Sequence, residues 1–496
     1  MSLTRKVAFN SSVQMGGRLI STLIAFVSVK LLTSTLGPAG FGEYAAILNY
    51  IAFFGTMADF GFYWILVREL AKHEGDQEKT DYIMGNILAF RSVFALIVLA
   101  CAVIAIYLTP TGIVPILTPT VKLGILVVAI ATFWQTLNMT FVAIFQTNYR
   151  MDKPVAAEII GRIVSLALLI PFLSLRLNVA WLVSAMVWGG IVNYLINVYA
   201  ARQYTRPKLK WDFDYWRVVW KESAVLGVVS VLALVYFKID GLLLSVLKTS
   251  TEVGIYAAPY KIIEILNFFP AAFMGIVFTA LIQSWEKDKV RAAVLINRSI
   301  EAMVVLGLPV LVGGIILAGP IMQFITSGSY AASYTFTAHV MGTSIPMTGV
   351  IILQMLLIAV TVDFFGNIFG KGIIAFGSTR LLLWPNIIAV LVNIGLNLYL
   401  IPRWSYAGAA LVTIITETIV LIIQIILISR FVRLHVPWST VGKTLMALVV
   451  MAAVIWPLRQ THALIGLSVA AAVYLIAAWR VGAISAETVR IMLRKD

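Results

Sequence analysis

Long apolar runs, separated by short polar loops, recur along this chain from one end to the other. A helix needs about 20 predominantly apolar residues to cross a bilayer. Fourteen segments meet that requirement: 10–35, 43–67, 86–108, 122–148, 154–175, 179–201, 222–246, 253–283, 293–325, 351–376, 381–400, 407–429, 443–458 and 463–481. The pattern predicts an all-α polytopic membrane protein of about 14 transmembrane helices, with no loop long enough to form a separate soluble domain. The stretch 326–380 departs from the rhythm, because it begins polar, is rich in glycine and is interrupted by Asp363 and Lys371. The first run follows Arg5 and Lys6, as a signal peptide's would, yet it continues past Leu32 and reads as a retained helix. At the other end, SAETVRIMLRKD reads as a short interfacial helix capped by Ser485.

Composition turns this pattern into an exclusion. Hydrophobic residues make up 61% of the 496 positions, charged residues only 12%, and the mean hydropathy is +0.96. No soluble interior can hide that much apolar surface, so soluble enzymes, nucleic-acid-binding modules and fibrous proteins are ruled out. The single cysteine, Cys101, excludes an intrachain disulfide, and His73, His339, His435 and His462 are widely dispersed. Neither a metal site nor a cofactor is expected.

The net charge of +15 reports topology. With the N-terminus inside, most of the Lys and Arg outside the apolar runs fall in the even-numbered loops and at both termini. The opposite side holds only Lys122, Arg176, Lys248, Arg403 and Arg459. That asymmetry places both ends in the cytoplasm. The longest cytoplasmic loop, 202–221, mixes basic residues with Trp211, Phe213, Tyr215, Trp216 and Trp220. It reads as an interfacial belt with a positive-inside cluster, and specific binding of anionic membrane lipid is the sharper alternative.

A repeat organises the helices. G-x-Y-A-A occurs at Gly42–Ala46 and again at Gly254–Ala258, each time at the start of a span. The next helices echo one another through Arg91-Ser92-Val93 and Arg298-Ser299-Ile300. Six helices separate the copies, so equivalent helices run in the same direction. Parallel repeats of this kind put the substrate path between two lobes.

Eight basic residues lie within the predicted spans: Arg18, Lys30, Arg91, Arg162, Lys238, Lys261, Arg298 and Lys371. Each costs about 2.5–3.5 kcal/mol at a lipid-facing midplane position, so they must snorkel, pair or line a wet cavity. Glu158–Arg162 at four residues, and Lys261–Glu264 and Arg298–Glu301 at three, are spaced to pair on one helix face. Lys30 can snorkel from the outer end of its helix, while Arg91 and Lys371 lie nearer inner ends. Arg18, Arg162, Lys238 and Lys261 are the leading candidates for a cationic cavity, with Arg298 and Arg91 completing the substrate-binding set. Guanidinium and ammonium groups suit an anionic, phosphate-bearing substrate. Asp59, Asp363 and Glu417 have no evident partner in the sequence; they are candidates for a coupling cation or for structural networks. No nucleotide-binding loop, nucleophile elbow or metalloprotease helix is present, so neither ATP hydrolysis nor glycosidic-bond formation is expected and the chain reads as a non-enzyme.

Three segments resemble a known family. LLTSTLGPAGFGEYAAILNYIAFFGTMADFGF (31–62) resembles the opening of bacterial and archaeal polysaccharide-biosynthesis flippases, with its L-G-P-x-G-F-G-x-Y turn. GLPVLVGGIILAGPIMQFITSGSY (307–330) resembles the ninth helix and its following turn, and NIGLNLYLIPRWSYAGAALVTIITE (393–417) resembles the signature around helices eleven and twelve. The family is of the O-antigen/exopolysaccharide flippase type within the multidrug/oligosaccharidyl-lipid/polysaccharide exporter superfamily. The resemblance implies two pseudo-symmetric six-helix lobes, 1–205 and 206–435, plus two extra helices and a tail in 436–496. It implies alternating-access translocation of a polyprenyl-diphosphate-linked oligosaccharide from the cytoplasmic to the outer leaflet of the cell membrane, for surface polysaccharide biosynthesis. H⁺ or Na⁺ coupling and a polymerase or export-machinery partner accompany that role, and nucleic acid does not.

Three other readings compete. A cation-coupled multidrug or metabolite exporter of the same superfamily typically has twelve spans and relies on acids, against the basic bias here. The lipid-II flippase branch carries early Arg- and Pro-rich motifs that are not evident. A membrane glycosyltransferase or polysaccharide polymerase needs a large external loop or an acidic motif, and the 326–350 loop contains no Asp or Glu.

Overall fold

The computed structural model describes residues 3–73, 75–110, 112–328, 330, 335–340 and 343–483. The tail helix expected from Ser485 lies outside them. The chain divides into two compact units, Met1–Val253 and Gly254–Asp496. The division falls at the glycine that opens the second G-x-Y-A-A copy.

The first unit contains α1 (Leu3–Asp59), α2 (Phe62–Lys72), α3 (Gln77–Leu108), α4 (Pro119–Thr147), α5 (Asp152–Ser174), α6 (Val179–Ala201) and α7 (Phe213–Leu247), and α7 packs against α1. Short polar side chains start several of these helices. Asp76, Thr118, Asn178 and Asp212 each accept a hydrogen bond from the backbone N–H three residues on, and Pro119 follows Thr118. At 57 residues α1 is far too long for one crossing, and its backbone breaks at Gly37 (φ 63°, ψ −173°). The left-handed φ suits glycine, and Pro38 then opens the next limb without a missed donor. This is the L-G-P turn singled out in the sequence. Between α5 and α6 the backbones touch: a Cβ on Gly161 would lie 2.6 Å from the Gly189 carbonyl oxygen. Small residues permit that approach where lipid supplies no hydrophobic drive.

The second unit takes up the chain within α8 (Ser250–Leu266). It continues with α9 (Phe268–Lys287), α10 (Lys289–Ile316), α11 (Ala318–Thr326), α12 (Gly349–Ala375), α13 (Leu383–Ile428), α14 (Trp438–Ile455) and α15 (Ala463–Arg480). α13 also breaks internally, at Ser405 (φ 50°, ψ −135°), three residues after Pro402. α14 and α15 pack on α10 through Leu448, Met451, Ile455 and Tyr474, and the Tyr474 hydroxyl donates to the Val305 carbonyl at 2.6 Å.

Among the described residues, eleven helices are long and apolar enough to cross a membrane. The number rises to twelve if the two halves of α7, bent by 43° near residue 233, form one span. The protein is therefore an all-α multi-pass membrane protein. Each repeat tyrosine is buried and reaches far along its own unit. Tyr44 approaches Met186 Sδ at 3.6 Å, and Tyr256 lies 3.4 Å from Thr413 Oγ1.

The irregular stretch after α11 contains an antiparallel hairpin, Thr337–Val340 with Thr343–Pro346, which the apolar pattern did not anticipate. It is pinned at its base by Tyr406, the residue after the Ser405 break. The Tyr406 hydroxyl accepts from the Thr335 and Phe336 amides at 3.0 and 3.3 Å and donates to the Met347 carbonyl at 2.8 Å.

Candidate functional site

The intramembrane charges occupy very different surroundings. Arg91, on α3, is completely buried, and its Nη2 lies 2.5 Å from Asp59 Oδ1 at the end of α1. Among the described residues its Nε and Nη1 have no hydrogen-bond partner. Asp59 therefore does have a partner, contrary to the expectation from sequence. Thirty-two residues separate the two, so no local spacing announced them. The pair sits at a break in the chain where Phe60 (φ 40°) and Gly61 (φ 77°) turn from α1 into α2. Phe60 stacks on Trp220 of α7 at 5.0 Å, and Phe90 stacks on Trp216 at 5.1 Å. The break is thus held by an ion pair and an aromatic cluster.

Arg162 and Lys261 differ from Arg91. On α5, Arg162 Nε donates to Glu158 Oε1 at 2.9 Å, with the two side chains 43% and 46% exposed. On α8, Lys261 Nζ donates to Glu264 Oε2 at 2.8 Å, and both are partly exposed. Both pairs form at the spacing read from the sequence. Arg18 is exposed on the first limb of α1, and Lys238 and Arg298 are half-buried on α7 and α10. Lys30 is half-buried, and Lys371 is exposed beside the Phe278 ring. Arg18, Arg91, Arg162 and Lys238 belong to the first unit, whereas Lys261, Arg298, Asp363 and Glu417 belong to the second.

Asp363 lies on α12, where Asn367 donates to its Oδ2 at 3.1 Å, and Glu417 is half-buried on the second limb of α13. Near Asp363, Gln424 of α13 is almost fully buried and its Oε1 is unpartnered. Amide side chains carry no charge and leave no electrostatic signal in the sequence, yet the structure gathers them. Asn197 donates to Asn138 and Asn193, each at 2.9 Å, joining α4 and α6. Asn397 donates to Asn393 at 2.7 Å within α13. The available signal was an amide at i and i+4 inside an apolar run, at 193/197 and at 393/397. A buried amide needs a partner in hydrocarbon as surely as a charge does.

The sequence and its fold have counterparts. The family model described as "Polysaccharide biosynthesis protein" matches residues 7–282, more than half of the chain. A Shigella flexneri protein provisionally named an O-antigen transporter is 25% identical over 334 residues, covering 63% of this chain and 75% of its own. A Haloferax volcanii protein provisionally named as the low-salt glycan biosynthesis flippase Agl15 is 21% identical over 329 residues, covering 66% of each chain. Among solved structures, the lipid II flippase MurJ in an inward closed conformation superposes with a TM-score of 0.74 at 15% identity, covering 93% of this chain and 97% of its own. At that identity the likeness concerns the fold. These relatives are named for transport rather than for catalysis. With the family match over more than half its length, the chain belongs to the polysaccharide biosynthesis protein family of multi-pass membrane proteins.

Proposed function

We propose that this protein is a flippase, translocating a polyprenyl-diphosphate-linked oligosaccharide from the cytoplasmic to the outer leaflet of the cell membrane by alternating access. The observation that carries the reading is the family match, together with relatives named for O-antigen transport and glycan flipping. The partly exposed cations inside apolar helices support it. Arg18, Arg162 and Lys261 keep exposed surface in helices where a lipid-facing charge is costly, and a diphosphate is a ligand that repays such groups with charge-assisted hydrogen bonds. In this reading fourteen crossings arise by splitting α1 at Gly37 and α13 at Ser405, and both termini are cytoplasmic, as the Lys/Arg asymmetry requires. Asp363 and Glu417 are the candidates for a coupling H⁺ or Na⁺, and Asp59 is paired with Arg91.

The test is deletion of the gene, followed by analysis of lipid-linked glycans on each face of the membrane. Accumulation of the lipid-linked oligosaccharide on the cytoplasmic face, reversed by the restored gene, is expected. An unchanged distribution overturns the proposal, as does purified protein that elongates a glycan unaided.

A further inference from the structure

We infer that the segment from Arg206 to Arg217 is a fixed basic platform that binds the headgroups of anionic phospholipids in the surrounding bilayer. The sequence alone suggests an interfacial belt with a positive-inside cluster between α6 and α7. The structure shows it fastened to the first turns of α3. Asp81 Oδ1 accepts from Thr205 Oγ1 at 2.6 Å, from the Arg206 amide at 2.9 Å and from Gln77 Nε2 at 3.1 Å. Gln77 also donates to the Tyr204 carbonyl at 2.9 Å. The Asp212 amide donates to Asn86 Oδ1 at 3.0 Å, and the Tyr82 hydroxyl donates to the Asp212 carboxylate. That hydroxyl and the Tyr215 amide hold the Asp212 carboxyl below its usual range. The Lys208 carbonyl lies flat on Gly85, where a Cβ would come within 2.1 Å of its oxygen.

This fastening sorts the charges. The acids Asp81 and Asp212 are engaged by the amides and hydroxyls that hold the segment in place. Asp214 remains exposed in the first turn of α7, where it complements the helix dipole. Lys208, Lys210 and Arg217 are left exposed, and the Lys210 ammonium lies 4.9 Å from the centre of the Tyr82 ring. Interleaved with them are Leu209, Trp211 and Phe213, exposed by 55%, 56% and 70%. Alternating ammonium and apolar groups on a held backbone match a bilayer surface, with the apolar side chains at the acyl boundary and the cations at the phosphates. A pocket for one diphosphate would need donors converging on a point. Here the cations are spread from 208 to 217, which favours many monoanionic headgroups over a single ligand.

The test measures retention of phosphatidylglycerol and phosphatidylcholine by the detergent-solubilised full chain, using native mass spectrometry during lipid titration. The wild type is expected to retain phosphatidylglycerol preferentially. Lys208→Gln/Lys210→Gln/Arg217→Gln should weaken that retention by about fivefold for each charge removed. Lys287→Gln/Lys289→Gln/Arg291→Gln, which removes the same charge from another exposed basic loop, should leave it near wild type. Equal losses in the two triple variants overturn the inference, because charge count alone would then explain the binding. Asp81→Ala gives opposite signs. It removes a negative charge, so charge count predicts tighter phosphatidylglycerol binding, whereas an unfastened platform predicts weaker binding. Tighter or unchanged binding by Asp81→Ala overturns the inference.

Discussion

Two arginine–carboxylate pairs in the first unit show how differently a membrane protein can hold the same two groups. Arg162 and Glu158 lie one turn apart on α5, both nearly half exposed, joined by one hydrogen bond from Nε. Arg91 and Asp59 come from different helices; the arginine has no exposed surface, and two of its nitrogens lack partners. The first pair is an i,i+4 contact, worth about 0.3–0.5 kcal/mol where water reaches it and more where it neutralises charge inside the bilayer. In the second the arginine is enclosed while the Asp59 side chain keeps 37% of its surface, so the desolvation cost falls on Arg91, and removing Asp59 leaves that cost uncompensated. A cation in an apolar run therefore does not declare its role by its position. Its exposure separates a group enclosed among the helices from one at a helix surface.

The largest effect should come from breaking the buried pair. Asp59→Ala leaves the Arg91 guanidinium buried with no counter-ion, which costs about 3–5 kcal/mol. The thermal unfolding midpoint in detergent should fall sharply. Asp59→Ala/Arg91→Met, which removes both charges and keeps an apolar side chain of similar reach, should recover most of the loss. A single variant as stable as the wild type would erase the contrast between the pairs.

A smaller effect sharpens the same point. Gly61 has φ 77°, and a Cβ there would lie 2.7 Å from the Leu226 Cβ. Gly61→Ala should therefore destabilise by about 1–3 kcal/mol. Because Gly61 belongs to the turn that presents Asp59 to Arg91, its effect should be non-additive with Asp59→Ala, with a coupling of at least about 0.5 kcal/mol. Strict additivity in a double-mutant cycle would mean that the ion pair and the turn are independent.

What the sequence disclosed follows the same division between local and distant. The apolar runs, the L-G-P break at Gly37 and the pairs at 158/162 and 261/264 are encoded within a few residues, and all were legible. The Asp59–Arg91 pair, the fastening of 204–212 to α3, and the Tyr406 clamp on the hairpin each join residues far apart in the chain. No periodicity carries such information. The break at Ser405 falls in the gap between the runs 381–400 and 407–429, so its place was legible; the residue that carries it was not, because a serine with positive φ gives no glycine signal. The amides at 193/197 and 393/397 stand at helical spacing within apolar runs, with no charge to mark them.

The smallest structural effect carries the most functional weight. Arg162→Ala and Lys261→Ala each remove one side of a partly exposed local pair; where that pair lines a wet cavity, each should change stability by no more than about 0.5 kcal/mol. If these cations hold the phosphates of a passing substrate, losing one charge-assisted hydrogen bond should weaken binding by about 1.5–3 kcal/mol, roughly ten- to a hundredfold. Flipping in reconstituted vesicles should then fall steeply while the unfolding midpoint barely moves. Exchanging each for the other basic residue should preserve part of the activity if charge, rather than the planar fork, is what matters. The rival role is neutralisation of Glu158 and Glu264. That role predicts restored transport in Glu158→Ala/Arg162→Ala and in Glu264→Ala/Lys261→Ala, because removing the acid removes the need for the base. Restoration at normal expression would place both residues with Arg91 as structural cations, and exposure would no longer separate the two kinds of pair.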